Sequence, residues 1–137
     1  MPLRKQIALF CVSGAIGFVV DAGIVQFMVS ELASNPYGAR LISFLAAATT
    51  TWLFNRNFTF ADRNPGASKR RELIRYLIAM AGGFALNYGT YALAVWLVPL
   101  VRSWPAIGVA AGSVSGGAVN FLTSKYWIFR TPPRPRG

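Results

Sequence analysis

Four long apolar stretches most constrain how this chain of 137 residues can fold. They cover about residues 6–30, 36–60, 73–98 and 105–129. A membrane-spanning helix needs about 20 mostly apolar residues, and each stretch meets that length. Charged residues make up 13% of the chain, about half the share found in soluble domains. The sequence therefore predicts an all-α membrane protein with four transmembrane helices.

Basic residues predict the orientation of these helices. Of the 14 Lys and Arg residues, all but Arg40 and Arg102 fall on one side of the predicted membrane. Because basic residues accumulate in cytoplasmic loops, we expect a multi-pass protein of the inner (cytoplasmic) membrane, with both termini in the cytoplasm. Arg4 and Lys5 would also suit a signal peptide, but the apolar stretch behind them is too long and no A-x-A cleavage site follows.

Few side chains could carry catalysis. The chain has no histidine, and Cys11 is its single cysteine. Its four acids form no paired-carboxylate or metal-binding pattern, and no phosphate-binding glycine loop occurs. We therefore expect no enzyme activity, no metal site and no cofactor.

The net charge of +10 could also suit nucleic acid, but the charges sit at the ends of apolar stretches, which favours membrane topology instead.

The two halves of the chain resemble each other. Residues 17–23 (GFVVDAG) match 83–89 (GFALNYG) at an offset of 66, and residues 51–60 (TWLFNRNFTF) match 120–129 (NFLTSKYWIF) at an offset of 69. The common order predicts a tandem two-helix repeat, with the halves related by an axis along the membrane normal. The single predicted domain, 1–137, then comprises repeat 1 at about 6–60, a cytoplasmic linker at 61–72, repeat 2 at about 73–129 and a basic tail at 130–137.

Small or polar residues recur one helical turn apart along the second helix of each half. The two series are Ser43, Ala47, Thr51 and Asn55, and Gly112, Gly116, Asn120 and Ser124. Small residues let helices approach closely in lipid, so one interpretation is a packing seam. The other is a polar cavity at the cytoplasmic end of each series. The residues placed to bind a phosphate there are Asn55, Arg56, Ser124 and Lys125. For the two basic residues, the alternative is simple anchoring at the membrane surface.

Asp21 and Arg40 are charged residues inside predicted helices. Counted along their helices at about 1.5 Å per residue, both lie in the outer half of the bilayer core at a similar depth. In the second half the aligned residues are Asn87 and Val109, so both charges are absent together. We therefore predict that Asp21 pairs with Arg40, because an unpaired charge at this depth would be costly. The pair would either fix the first two helices or act as a gate.

Three segments resemble the GtrA-like family of small four-helix membrane proteins. They are GF-x-x-D-x-G in the first stretch, LFNRNFTF at the end of the second and NFLTSKYWIF at the end of the fourth. The resemblance covers about residues 7–129 and departs from the family pattern at Ser124-Lys125, where Asn-Arg is favoured. It implies a flippase that moves a polyprenyl-phosphate-linked sugar across the membrane for cell-surface polysaccharide biosynthesis. It also implies a polyprenyl-phosphate glycosyltransferase as a partner.

Two other functions are compatible with the same residues. A non-transporting adaptor would recruit the glycosyltransferase through its loops. A small cation or drug exporter would use Asp21, although the predicted arginine partner and the neutral Asn87 in the second half count against it. We also expect a homodimer, in which the face formed by Gly108, Gly112 and Gly116 is buried either inside one subunit or between two.

Overall fold

Helices account for every regular element in the part of the chain that the structure describes. The computed structural model describes residues 1–62 and 68–130, except the side chains of Pro36, Tyr37, Arg40, Pro105, Ala106 and Val109. Over these residues the α-helices are α1 (Leu3–Glu31), α2 (Pro36–Phe54), α3 (Lys69–Leu97), α4 (Pro99–Ser103) and α5 (Pro105–Thr123). α2 and α5 each continue into a π-helix, namely π1 (Asn55–Thr59) and π2 (Ser124–Ile128). The predicted all-α class is therefore confirmed for the described residues.

Helices occupy all four positions at which the sequence predicts transmembrane spans. α1 and α3 have 29 residues each, with mean hydropathies of 2.1 and 1.2 over their most apolar windows, and both are long and apolar enough to cross a membrane. α2 and α5 have 19 residues each before their π-helices begin. The four-span arrangement and the orientation of the termini stay predictions. Much of the predicted linker and tail, at residues 63–67 and 131–137, lies outside the described residues.

The described residues form two compact units, and each is considered by itself. The first comprises Met1–Leu77 with Phe129 and Arg130, and the second comprises Ile78–Ile128. The first unit therefore contains the α1–α2 helix pair, and the second contains most of α3 together with α4 and α5. The boundary falls within α3 rather than in the predicted linker.

In the first unit, α1 and α2 approach each other closely at a glycine. A Cβ atom on Gly17 would lie 2.5 Å from Cγ2 of Thr51, so the helices can pack at this distance only because Gly17 has no side chain. Farther along the same seam, Ser43 Oγ donates a hydrogen bond of 2.6 Å to Asp21 Oδ1. The polar series on α2 therefore faces α1 and forms a packing seam, which is one of its two predicted roles.

In the second unit, α3 and α5 pack in the equivalent register. Gly83, which aligns with Gly17, lies against Asn120, which aligns with Thr51, and a Cβ on Gly83 would overlap the Asn120 carboxamide. A Cβ on Gly112 would lie 2.5 Å from the carbonyl oxygen of Asn87, the residue aligned with Asp21. Equivalent residues thus make equivalent contacts in both helix pairs. This agreement supports the predicted duplication.

The glycine face of α5 is covered within the chain. A Cβ on Gly116 would lie 2.7 Å from the carbonyl oxygen of Gly83, and one on Gly108 would lie 2.9 Å from Cγ1 of Val101 in α4. Of the two predicted locations for this face, the structure therefore shows the one inside a subunit. The predicted homodimer would need a different surface.

Proline and loop length set where α2, α4 and α5 begin. α2, α4 and α5 each start at a proline, whose missing N–H is no loss in the first turn of a helix. The connection between α3 and α5 has seven residues, whereas that between α1 and α2 has four. The three additional residues account for the change of repeat offset from 66 to 69, and they allow the short helix α4, which the sequence analysis did not predict.

The neighbouring glycines Gly116 and Gly117 give a matched test of the α3–α5 seam. A Cβ on Gly116 would collide with the backbone of α3, whereas one on Gly117 would have nothing within 4 Å. We expect Gly116→Ala to lower the free energy of unfolding by about 1–3 kcal/mol through overpacking. Gly117→Ala should leave it unchanged or raise it by up to about 1 kcal/mol, because alanine has the higher helix propensity. Denaturant titration in detergent micelles, followed by tryptophan fluorescence, measures both; equal effects of the two variants would contradict the seam.

Candidate functional site

The two predicted basic residues lie at the same position of equivalent π-helices. Arg56 is the second residue of π1, and Lys125 is the second residue of π2, at the offset of 69 that relates the two halves. A π-helix is rare and is frequently found at functional sites. In π1 the Phe60 N–H donates to the Asn55 carbonyl oxygen at 2.8 Å, which closes the wider turn. Each helix pair therefore carries a basic residue in the π-helix at its end.

Arg56 is held by a buried acid that lies near the start of α3. Arg56 Nε donates a hydrogen bond of 2.7 Å to Glu72 Oε1, and Trp52 Nε1 donates to the same oxygen at 3.0 Å. The Arg56 guanidinium carbon lies 5.4 Å from the centroid of the Trp52 ring. Only 3% of the Glu72 side chain is exposed, and 12% of the Arg56 side chain. Glu72 and Trp52 therefore fix the orientation of the guanidinium, and the Glu72 carboxylate offsets part of its charge.

Asn55 and Thr51, both predicted polar site residues, belong to a closed hydrogen-bond network in the first unit. Asn55 Nδ2 donates to the Tyr76 hydroxyl at 3.0 Å, and that hydroxyl donates to Thr51 Oγ1 at 2.9 Å. Thr59 Oγ1 donates to Asn55 Oδ1 at 2.8 Å. The network ties α2 and π1 to α3. Both polar ends of the Asn55 carboxamide are thus already occupied by protein groups.

The aligned residues of the second unit also place polar atoms in the interior, but these atoms differ in their hydrogen bonding. Ser124 aligns with Asn55 and is fully buried, yet its Oγ has no hydrogen-bond partner among the described residues. Asn120 aligns with Thr51, and its buried Oδ1 also has no partner there. Lys125, next to Ser124, is half-buried, with Nζ 5.8 Å from the centroid of the Tyr126 ring. The buried polar atoms are therefore hydrogen-bonded in the first helix pair, whereas in the second pair Asn120 Oδ1 and Ser124 Oγ have no partner among the described residues.

The other predicted intramembrane polar residues lie along the two seams. Asp21 is half-buried and accepts the hydrogen bond from Ser43. The side chain of Arg40 lies outside the described residues, so the predicted Asp21–Arg40 pair stays a prediction. Asn87 packs where α5 has Gly112 and Gly116 instead of side chains. Asp21 and Asn87 therefore occupy equivalent places, but Asp21 contacts a serine hydroxyl, whereas Asn87 contacts the backbone of two glycines.

Sequence reasoning missed the residues that hold Arg56. Glu72 is the one acid within the basic segment KRRELIR, and this isolated negative charge was the available signal. Tyr76 follows it by one helical turn and so shares its face of α3. A basic groove of about 530 Å³ also lies at this end of α3, lined by Ser68, Arg70, Arg71, Ile74 and Arg75. The first turns of α3 therefore hold the residues that contact Arg56 and Asn55, which the sequence analysis did not predict.

Long apolar helices that join through small residues and buried polar contacts define a small helical membrane protein. Large apolar side chains such as Phe18 and Val114 are mostly exposed, which suits contact with lipid. Residues 9–129 match the GtrA/DPMS transmembrane domain, and the chain belongs to that family. It is also similar to the uncharacterized membrane protein YngA of Bacillus subtilis (strain 168), with 22% identity over 125 residues, which cover 91% of this chain and 80% of YngA.

Substitution of the aligned pair Asn55 and Ser124 tests the difference between the two units. We expect Asn55→Ala to lower the free energy of unfolding by about 1–3 kcal/mol, because Tyr76 and Thr59 each lose a buried hydrogen bond. Ser124→Ala removes a buried hydroxyl that has no partner among the described residues, so stability should stay the same or rise. Thermal or denaturant unfolding in one detergent compares them directly. A larger loss for Ser124→Ala would show that its hydroxyl is paired in the protein.

Proposed function

We propose that this protein is a flippase that moves a polyprenyl-phosphate-linked sugar across the cytoplasmic membrane for cell-surface polysaccharide synthesis. The observation that carries the proposal is the placement of Arg56 and Lys125 at the same position of equivalent π-helices, in a member of the GtrA/DPMS transmembrane domain family. A lipid phosphate needs cationic hydrogen-bond donors at headgroup level, and each helix pair supplies one.

In the proposed topology, α1, α2, α3 and α5 span the membrane and both termini are cytoplasmic. Arg56 and Lys125 each follow a helix-starting proline by 20 residues, which corresponds to about 30 Å of helix and so to the full thickness of the hydrocarbon core. Both cations would then lie at the cytoplasmic headgroup level. A lipid-linked sugar made on the cytoplasmic side would meet them first.

The two cations would contribute differently to phosphate binding. Glu72 and Trp52 hold the Arg56 guanidinium in one orientation, so little conformational freedom would be lost when a phosphate binds. Lys125 has a flexible stem and a compact charge, which suit a headgroup that must later leave. Asn55 is less suited to contact the phosphate than the sequence suggested, because Tyr76 and Thr59 already bond its carboxamide.

A non-transporting adaptor is the second candidate, and the basic groove at the start of α3 favours it. Arg70, Arg71 and Arg75 line this groove together, and such a surface fits an acidic face of a glycosyltransferase. The same groove is compatible with the flippase, which we also expect to work beside a polyprenyl-phosphate glycosyltransferase. The two functions differ in whether the purified protein alone moves lipid between leaflets.

A reconstitution assay separates these functions. Vesicles that contain only this protein and a polyprenyl-phosphate glucose should move the lipid between leaflets faster than vesicles without protein. Arg56→Ala and Lys125→Ala should each slow that movement about tenfold, roughly the effect of one charge-assisted hydrogen bond. No movement by the wild-type protein, with insertion intact, would refute the flippase and leave the adaptor.

Arg102→Ala is the matched control for the two cation variants. Arg102 is an exposed arginine of α4, at the opposite predicted membrane face. Its substitution removes the same charge as Arg56→Ala, and we expect transport to be unchanged. An equal loss in all three variants would mean that net charge, rather than a phosphate site, governs the rate.

A further inference from the structure

A buried carboxylate already contacts Arg56, one of the two cations to which we assign the lipid phosphate. Arg56 Nε donates a hydrogen bond of 2.7 Å to Glu72 Oε1, and both residues belong to the first unit. The arginine is the more accessible member of the pair, with 12% of its side chain exposed against 3% for the glutamate. Carboxylate and phosphate make the same kind of charge-assisted hydrogen bond to a guanidinium. A phosphate that binds Arg56 must therefore compete with Glu72.

The internal repeat shows that the fold does not need an acid at this position. The offset of 66 that relates Gly17 to Gly83 also relates Gln6 to Glu72. Gln6 lies near the start of α1 and is buried, as Glu72 is near the start of α3. Glutamine has nearly the shape of glutamate but carries no charge. One copy of the repeat therefore buries a negative charge where the other buries a neutral group of similar size.

Aromatic contacts one helical turn farther along support this alignment. The offset of 66 relates Phe10 to Tyr76, and the offset of 69 relates Phe60 to Phe129. The ring centroids of Phe10 and Phe60 lie 6.4 Å apart. Those of Tyr76 and Phe129 lie 6.1 Å apart. Aligned residues thus make the same contact, so the two helix starts are equivalent in three dimensions as well as in the sequence.

The charge of Glu72 opposes phosphate binding, although its hydrogen bond orients Arg56. Two anions that share one guanidinium repel each other, and the repulsion is stronger where water is excluded. Trp52 Nε1 donates to the same Glu72 oxygen at 3.0 Å. The carboxylate therefore keeps a hydrogen bond in its buried position when Arg56 turns toward a phosphate. From there it can bind the guanidinium again.

We propose that Glu72 is a positioning residue that limits the affinity of Arg56 for the lipid phosphate and thereby speeds the release of that phosphate. This inference rests on the proposed function, because it concerns turnover of the same lipid substrate. A site that passes its substrate on must bind it tightly enough to capture it and weakly enough to let it leave. The Glu72 carboxylate meets the second condition, since it replaces the phosphate as the partner of Arg56.

Binding of a polyprenyl phosphate without sugar to the full-length protein in nanodiscs tests this competition. Glu72→Gln copies Gln6 and keeps a hydrogen-bond acceptor for Arg56 while it removes the charge. We expect this variant to bind the lipid phosphate about tenfold more tightly than wild-type protein. Glu72→Asp keeps a charge beside Arg56 and so guards against misfolding. Its carboxylate is withdrawn by one methylene group, so binding should still tighten, by about two- to threefold.

Transport kinetics separate slower release from structural damage. In vesicles that supply a glucosylated polyprenyl phosphate, Glu72→Gln should lower KM and the maximal rate together, because a tightly bound phosphate leaves slowly. Damage to the fold would lower the rate without lowering KM. Tyr76→Phe is the matched control, since it copies Phe10 and removes a hydroxyl that bonds Asn55 and Thr51. Its affinity for the lipid phosphate should stay within about twofold of wild type.

Two results would overturn the role of Glu72 and leave the phosphate site standing. One is unchanged or weaker binding in both Glu72 variants, and the other is tighter binding with an unchanged maximal rate. Failure of wild-type protein to bind the lipid phosphate, or equal binding by Arg56→Ala, would overturn both this inference and the phosphate site at Arg56.

Discussion

The close approach of paired helices at single glycines is the constraint on which the rest of the structure depends. In lipid there is little hydrophobic gain from joining two helices, so packing and hydrogen bonds must hold them. Gly17 lets α1 approach α2, and Gly83 lets α3 approach α5. Opposite Gly17 lies the methyl group of Thr51, and opposite Gly83 lies the carboxamide of Asn120. In the second helix pair, the contact that permits packing therefore also places a polar group inside the seam.

The two helix pairs share this geometry but use the polar atoms differently. In the first unit, Tyr76 completes the network of Thr51 and Asn55, and Glu72 pairs with Arg56. These contacts stabilise the protein and orient one cation. In the second unit, buried oxygens of Asn120 and Ser124 have no partner among the described residues. The two helix pairs therefore share a packing geometry, although the buried polar atoms are hydrogen-bonded in the first pair and have no described partner in the second.

Much of this arrangement could be predicted from the sequence, because it depends on local periodicity. The helix positions follow from apolar length, and the aligned residues Gly17 and Gly83 follow from the repeat. The polar series on α2 and α5 was predicted with two possible roles, and spacing alone could not decide between them. The sequence also left open whether the glycine face of α5 is buried inside one subunit or between two. The contacts of that face with α3 and α4 show the location inside a subunit.

The features that the sequence did not predict depend on partners distant in the chain or on subtle backbone geometry. Glu72 lies 16 residues from Arg56, and although it is the one acid in a basic segment, that pattern does not indicate which residue its carboxylate contacts. The π-helices have no known composition that distinguishes them from α-helix, so their recurrence at aligned positions appeared only in the structure. α4 is too short for periodicity to reveal.

The proposed flippase requires that basic residues of both helix pairs hold the phosphate of the lipid substrate. Photoaffinity labelling tests this most directly, using a polyprenyl-phosphate sugar that carries a diazirine on the isoprene unit beside the phosphate, in membranes containing the full-length protein. We expect the label on the peptides around Arg56 and Lys125, and unlabelled glycolipid should compete with it. Labelling confined to one helix pair, or labelling that the glycolipid does not compete, would contradict the proposal.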